Sequence, residues 1–121
     1  MDLSDWDDIQ GTISHAVIAA SAGDNTIVSA VSGKQIVVVF AAMYADDDAL
    51  VRFESGTGGT ALTGQMQLYA KSGTALQPGA STGAIEWDWN PGGWVITGVG
   101  ALLNLEVSNG NIGGVLGYIL Q

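Results

Sequence analysis

Apolar and polar residues alternate with a period of two along several short stretches, the pattern of strands buried on one face. Val51 and Phe53 alternate with Arg52 and Glu54, and Leu62, Gly64, Met66 and Leu68 with Thr63, Gln65, Gln67 and Tyr69. Ile85, Trp87 and Trp89 alternate with Ala84, Glu86 and Asp88; Leu103, Leu105 and Val107 alternate with Leu102, Asn104 and Glu106. Two stretches break the rule. Ile36 to Ala42 is apolar on both faces, and so is Val115 to Leu120 apart from Gly117 and the Tyr118 hydroxyl. A strand apolar on both sides needs two covers: one is the opposing sheet, and the other is expected to be a neighbouring subunit. With Thr12 to Ala20 and Asn25 to Val31 the pattern predicts about eight strands.

Gly accounts for 18 of the 121 residues, about twice its usual share, and with Ser, Asn and Asp it cuts the chain into these short pieces. Turns are predicted at Ala22-Gly23-Asp24-Asn25, Ser32-Gly33-Lys34, Ala45 to Asp48, Ser55 to Gly59, Pro78-Gly79 and Asn90 to Gly93. Ser108-Asn109-Gly110-Asn111 supplies the residues of a tight hairpin between two terminal strands. No helix-capping box leads into an amphipathic run. The expectation is all-β: a single-domain antiparallel sandwich, jelly-roll-like, over residues 11–121, preceded by a short N-terminal arm of residues 1–10.

Charge narrows the functional classes. Lys and Arg number 3 against 12 Asp and Glu, for a net charge of −9, so a nucleic-acid partner, which needs cations to displace phosphate counterions, is not expected. An anionic membrane surface is disfavoured for the same reason. The longest apolar run, Ile36 to Ala45, is about half the roughly 20 residues of a membrane helix, and the opening MDLSDWDD has neither the basic nor the apolar region of a secretory leader. Without cysteine there are no disulfides or thiolate metal sites. Charged residues make up 12% of the chain, about half the usual share, so part of the folded surface is expected to be buried against other chains.

Little in the sequence resembles catalytic machinery. The single histidine, His15, shares a strand face with Ile13 and Val17, which makes it a partly buried or rim residue with no partnered nucleophile nearby in sequence. No serine sits in a Gly-x-Ser-x-Gly elbow. The clusters Gly56-Thr57-Gly58-Gly59 and Gly113-Gly114 lack the helix and lysine of a phosphate loop, so they read as turn chemistry. Asp46-Asp47-Asp48 and Asp5-Trp6-Asp7-Asp8 are the carboxylate clusters that Ca²⁺ would take up, but adjacent residues of an extended chain point apart, and the expectation is a solvated turn and a charged arm. Trp87, Trp89 and Trp94 surround Asn90-Pro91-Gly92-Gly93. They form either packing anchors or a sugar platform, and the shared parity of Trp87, Trp89 and Ile85 favours packing. No enzyme activity, cofactor or metal is expected, since a jelly-roll metal enzyme needs several converging His or carboxylate ligands.

From Asn25 onward the chain resembles small jelly-roll structural proteins of tailed bacteriophage virions, head decoration (cement) proteins among them. The resemblance rests on Asn25-Thr26-Ile27-Val28-Ser29-Ala30-Val31 with Ser32-Gly33-Lys34, Phe53-Glu54-Ser55-Gly56, Leu62-Thr63-Gly64-Gln65-Met66 and Asn90-Pro91-Gly92-Gly93-Trp94. It continues through Gly100-Ala101-Leu102-Leu103-Asn104-Leu105 and Gly113-Gly114-Val115-Leu116-Gly117-Tyr118. The triple Asp at 46 to 48, the Trp-Asp-Trp at 87 to 89 and the segment before residue 25 depart from the family pattern. The resemblance implies a β-sandwich, assembly with itself, often as a trimer, contact with the major capsid protein, and a place on the exterior of the virion after synthesis in the host cytoplasm. It brings no catalytic residues. The alternative is a receptor- or glycan-binding module of a tail or head fibre.

The residues expected to meet partners are Leu3, Trp6 and Ile9 of the arm, Ile36, Val38 and Phe40 of one doubly apolar strand, Tyr118 of the other, and Trp87, Trp89 and Trp94. The spacing of three in the arm suits either a short apolar stripe or an extended segment anchored by Trp6. The arm is expected to dock on a neighbour with Asp5, Asp7 and Asp8 facing basic groups; the alternative is a frayed, solubilising terminus.

Overall fold

In the computed structural model, residues 13–69 and 84–121 are described. Leu3, Trp6, Ile9 and the rest of the arm lie outside them, as does Pro78-Gly79. The described residues form eight strands and no helix: β1 (Ser14–Val28), β2 (Ile36–Ala45), β3 (Ala49–Ser55), β4 (Thr60–Ala61), β5 (Met66–Leu68), β6 (Ile85–Trp87), β7 (Val95–Ile96) and β8 (Leu103–Leu120). All belong to one hydrogen-bonded antiparallel sheet, so the all-β, sandwich-like class read from the sequence holds.

The long strand β8 is the spine. β1 runs beside it from Ser14↔Tyr118 to Val28↔Leu103. β2 also pairs with it, from Ile36↔Leu120 to Ala45↔Ile112, and β3 continues from Val51↔Val107 to Ser55↔Leu103. β2 and β3 thus follow one another along β8, broken at Asp46–Asp48. The sheet then folds on itself. Ile18, Val51, Phe53, Leu105, Ile112 and Leu116, all 0–2% exposed, belong to one core, and Phe53 of β3 meets Trp87 of β6 with ring centroids 5.6 Å apart.

Two predicted turns are corrected. Ala22 to Asn25 does not reverse the chain, and Ser108 to Asn111 is not a hairpin. The register steps from Ser21↔Asn111 to Gly23↔Val107, so Ser108, Asn109 and Gly110 bulge opposite Ala22 inside two continuous strands. Gly23 (φ 106) and Gly110 (φ 71) supply the left-handed conformation that a bulge needs as much as a turn does. Asn25 braces the site: its amide donates to Ser21 O at 2.7 Å and Gly23 O at 3.1 Å, while its Oδ1 accepts from Ser21 N. The strand expected over Leu62 to Tyr69 is also shorter, since only Met66–Leu68 pairs, with Ala49 to Val51.

The triple Asp grips this bulge. Asn111 donates its backbone N–H to Asp46 Oδ1 at 2.7 Å and its amide to Asp46 Oδ2 at 2.9 Å, and Asn109 donates to Asp47 Oδ2 at 3.1 Å. The Asn111 bonds favour the charged form of Asp46 and hold its carboxyl below the ordinary carboxylate range. A lowered carboxyl stabilises the fold above its unfolded-state pKa, and that contribution fades as pH falls through the lower folded value. NMR across an acid titration should therefore show the Asn111 amide losing its bond only below the ordinary carboxylate range. Asp46→Ala should remove that acid step and lower the melting temperature at neutral pH; an unchanged titration of Asn111 in this variant would refute the brace.

Candidate functional site

The two doubly apolar strands lie side by side. Across β1, β8 and β2 the register aligns three rows, His15–Gly117–Phe40, Val17–Val115–Ala42 and Ala19–Gly113–Tyr44. Ile18, Ala20, Ala41, Met43, Ile112 and Leu116 on these strands point the other way, into the core. The nine residues make an outer face without Asp, Glu, Lys or Arg. Val17 is 77% exposed, Tyr44 62% and Val115 38%. In the middle column the glycines on either side of Val115 leave room for rings: a Cβ on Gly117 would run into the Phe40 ring, and one on Gly113 would lie 3.3 Å from the Tyr44 ring. His15 stacks obliquely on Phe40 at 5.8 Å and 59°.

This face borders a free strand edge, since β1 pairs with β8 and with no other described strand. Near the bulge it runs into an open hollow of about 630 Å³ whose lining includes Ala19, Tyr44, Asp46, Asn111 and Gly113. Sheet faces of this kind are normally covered, and an exposed apolar edge invites pairing.

Of the residues expected to meet partners, Phe40 lies in this face, whereas Ile36 and Val38 are fully buried in the chain's own core. Those two belong to the inward side of β2. Tyr118 is half-buried and packs against the core. Trp87 is also half-buried, packed on Phe53 and stacked on Trp94 at 5.5 Å and 17°. Trp94 stays 45% exposed and is fixed by its Nε1 donating to Asp88 O at 2.7 Å. The pair is rigid because Asn90 to Gly93 forms a tight turn, closed by Gly93 N on Asn90 O at 2.9 Å with Gly93 at φ 88. Trp89 is half-buried and outside this stack.

The structure adds a polar cluster that sequence reading missed. On the face of β1, β8 and β3 turned away from the core, cross-strand pairing sets Asp24–Glu106–Arg52 beside Thr26–Asn104–Glu54. Arg52 donates from Nε to Glu54 Oε2 at 2.8 Å and from a terminal nitrogen to Glu106 Oε2 at 3.1 Å. Asn104 donates its amide to Glu54 Oε1 at 2.8 Å and Asp24 Oδ1 at 3.0 Å. Glu54 and Asn104 are sealed from solvent. Burial opposes ionisation of Glu54, but hydrogen bonding with Glu106, Asn104 and Arg52 outweighs it and leaves the carboxyl below its ordinary range. The same bond to Glu54, with the charge of Glu106, strengthens the hold of Arg52 on its proton. The one sequence signal was parity, which put Arg52, Glu54, Asn104 and Glu106 on outer faces.

Compared with protein-family models, curated proteins and solved structures, the chain matches none.

Proposed function

We propose that this chain is a virion structural protein, a capsid decoration (cement) subunit that assembles with itself, as a trimer, and stabilises capsomer contacts on the outer surface of a phage head. The observation that carries the reading is the uncharged outer face of β1, β8 and β2, with Val17, Val115 and Tyr44 standing in solvent in the isolated chain. Covering apolar area is worth roughly 25 cal/mol per Å², and closed homo-oligomers are the commonest way of covering it. The low charge content and the resemblance from Asn25 onward support the same reading.

The alternative, a glycan- or receptor-binding fibre module, draws on Trp94, a rigid and partly exposed ring of the kind that sugars stack on. One face of that ring is already taken by Trp87.

Two measurements test the proposal together. Light scattering after gel filtration should give a closed oligomer of the full chain, and immunogold labelling of virions should place the antigen on heads. A monomer both in solution and on the particle would overturn the assembly reading, and gold confined to fibres would favour the alternative.

A further inference from the structure

We infer that the free edge of β1 from Ser14 to Ala20 accepts an extended segment of another protein as an added strand, and that the hollow beside Ser21 receives a Lys or Arg of that segment against Asp46. The inference goes beyond the outer face, whose partner is a further copy of the chain, and does not depend on it. Strand addition has two parts: main-chain hydrogen bonds to the edge give affinity, and a pocket for a side chain gives specificity.

The hydrogen-bonding groups of the edge follow from the register. In an antiparallel ladder, alternate residues bond to a given neighbour. Asn111 of β8 directs its N–H to Asp46 Oδ1 and accepts from Asp46 N, so its cross-strand partner Ser21 turns away from β8. Asn25 takes both groups of Ser21. His15, Val17 and Ala19 lie in unbroken register with Ser21 and therefore aim their N–H and C=O groups at the open side, where no described strand pairs with β1.

Natural sheets blunt such edges with short strands, charges, proline or bulges. β4, β5, β6 and β7 are two or three residues long. From Ser14 to Ala20, by contrast, β1 has no Asp, Glu, Lys, Arg or Pro and no register shift. The blunting devices begin directly after it, with Asn25 closing over Ser21, the bulge at Gly23 and the charge of Asp24. Pairing is thus prevented on one half of β1 and left open on the other.

The hollow supplies the pocket. Ile18 to Ser21 of the edge strand line it together with Gly113, Tyr44 and Asp46. Asp46 reaches back over β8 to the Asn111 N–H at 2.7 Å, and an added strand would lie about 10 Å from β8, two strand spacings. One extended Lys or Arg and a hydrogen bond span that gap, with the apolar stem over Ala19 and Gly113 and the head at the carboxylate. Each Asp46 oxygen accepts one bond from Asn111, out of about four sites on a carboxylate. Capacity for a cationic donor remains, and the Asn111 bonds keep the group charged.

Charge also selects the occupant. A chain of net charge −9 favours a basic partner. A second copy suits this edge poorly. Laid parallel, it sets Asp24 against Asp24; laid antiparallel about Val17, it brings each Asp24 to the end from which the other chain's Asp7 and Asp8 lead off, and like charges across a strand pair are destabilising.

The test is NMR titration of the ¹⁵N-labelled full-length protein with a synthetic ten-residue peptide that alternates Thr and Val between terminal lysines, with light scattering on the same samples. The peptide should slow amide exchange at His15, Val17 and Ala19 while Ala16 and Ile18 stay as they were. The expected Kd is on the order of 10⁻⁴ M, weak because an unstructured peptide loses its freedom on binding. Glu in place of the terminal lysines should weaken binding about tenfold or more, and Asp46→Asn should remove most of that difference. Ser21 is exposed and its printed bonds are to backbone atoms, so Ser21→Lys keeps the fold; its own ammonium should occupy Asp46 and weaken the lysine peptide as much as Glu does. Peptide binding by a chain that stays monomeric would support this inference while the assembly reading fails. No change up to about 2 mM peptide, well above that Kd, overturns the inference. So does protection that maps to other strands, or equal binding of the Lys and Glu peptides. Protection of His15, Val17 and Ala19 without peptide also overturns it, assigning the edge to the chain's own residues if independent of protein concentration and to a second copy if not.

Discussion

Replacing Phe53 with alanine is expected to lower the stability of the fold by about 3–5 kcal/mol, the usual cost of deleting a buried aromatic ring. Phe53 is fully buried in β3 beside Leu105 of β8, and its ring reaches Trp87 of β6 at 5.6 Å and 45°. The contact joins the β3 half of the folded sheet to the β2 half, because β6 is held by β2 through Ala41↔Trp87. Removing the ring leaves a cavity between the halves and frees Trp87 from one side. A domain of this size is typically stable by about 5–15 kcal/mol, so the loss is a large share of the total. Thermal unfolding should shift down by on the order of 10–20 °C, with a weakened near-ultraviolet dichroism signal as the Trp87–Trp94 stack loosens. Phe53→Leu, which keeps much of the volume, should cost less than about 1.5 kcal/mol. A loss below about 1 kcal/mol for alanine would mean that the halves are held by contacts other than this one.

Parity made Phe53 legible as a core residue. The alternation of Val51 and Phe53 with Arg52 and Glu54 reports which face each side chain takes, and the structure buries the first pair fully while placing the second in the polar cluster. The same holds for Leu103, Leu105 and Val107 against Asn104 and Glu106. Parity is a local property, set by the pleat of one strand.

Pairing is not local, and there the reading stopped. Asp24 reaches Glu106 and Asn104 across about 80 residues of chain, and no spacing in the sequence announces such a meeting. The polar cluster of Asp24, Arg52, Glu54, Asn104 and Glu106 was invisible for that reason, although most of its residues lie at the polar positions of the alternation. The error at Ser108-Asn109-Gly110-Asn111 has a related cause. Glycine at positive φ serves a hairpin turn and a bulge equally, and the choice was made by β1, which runs past the bulge with Ser14 to Ser21 paired on one side of it and Gly23 to Thr26 on the other. Ile36 and Val38 show the limit from the other side. A run apolar on both faces reveals that a strand is covered twice, but the Val38–Phe40 register shift decides which residues face out, and it leaves Phe40 outside while Ile36 and Val38 go in.

Placing aspartate at both Val17 and Val115 is expected to separate assembly from folding. The two residues are cross-strand partners in the middle row of the outer face, and in the isolated chain they are 77% and 38% exposed. Substitutions at exposed positions without special contacts usually change stability by no more than about 0.5 kcal/mol, and adjacent like charges in water add a modest repulsion. Dichroism and melting temperature of the free subunit should therefore stay close to those of the parent. An interface responds differently. A charge buried there without a partner costs about 3–5 kcal/mol, which corresponds to a 10²–10³-fold weaker association, and symmetry repeats that cost in every subunit. Light scattering should report a folded monomer at concentrations where the parent is an oligomer, while Val17→Thr, polar but uncharged, should fall between them. The paired design also separates the readings of the molecule: if assembly depends on this face, the double variant loses it with Trp87 and Trp94 undisturbed. An oligomer of parental mass and affinity in Val17→Asp with Val115→Asp would show that the face of β1, β8 and β2 is not where the subunits meet.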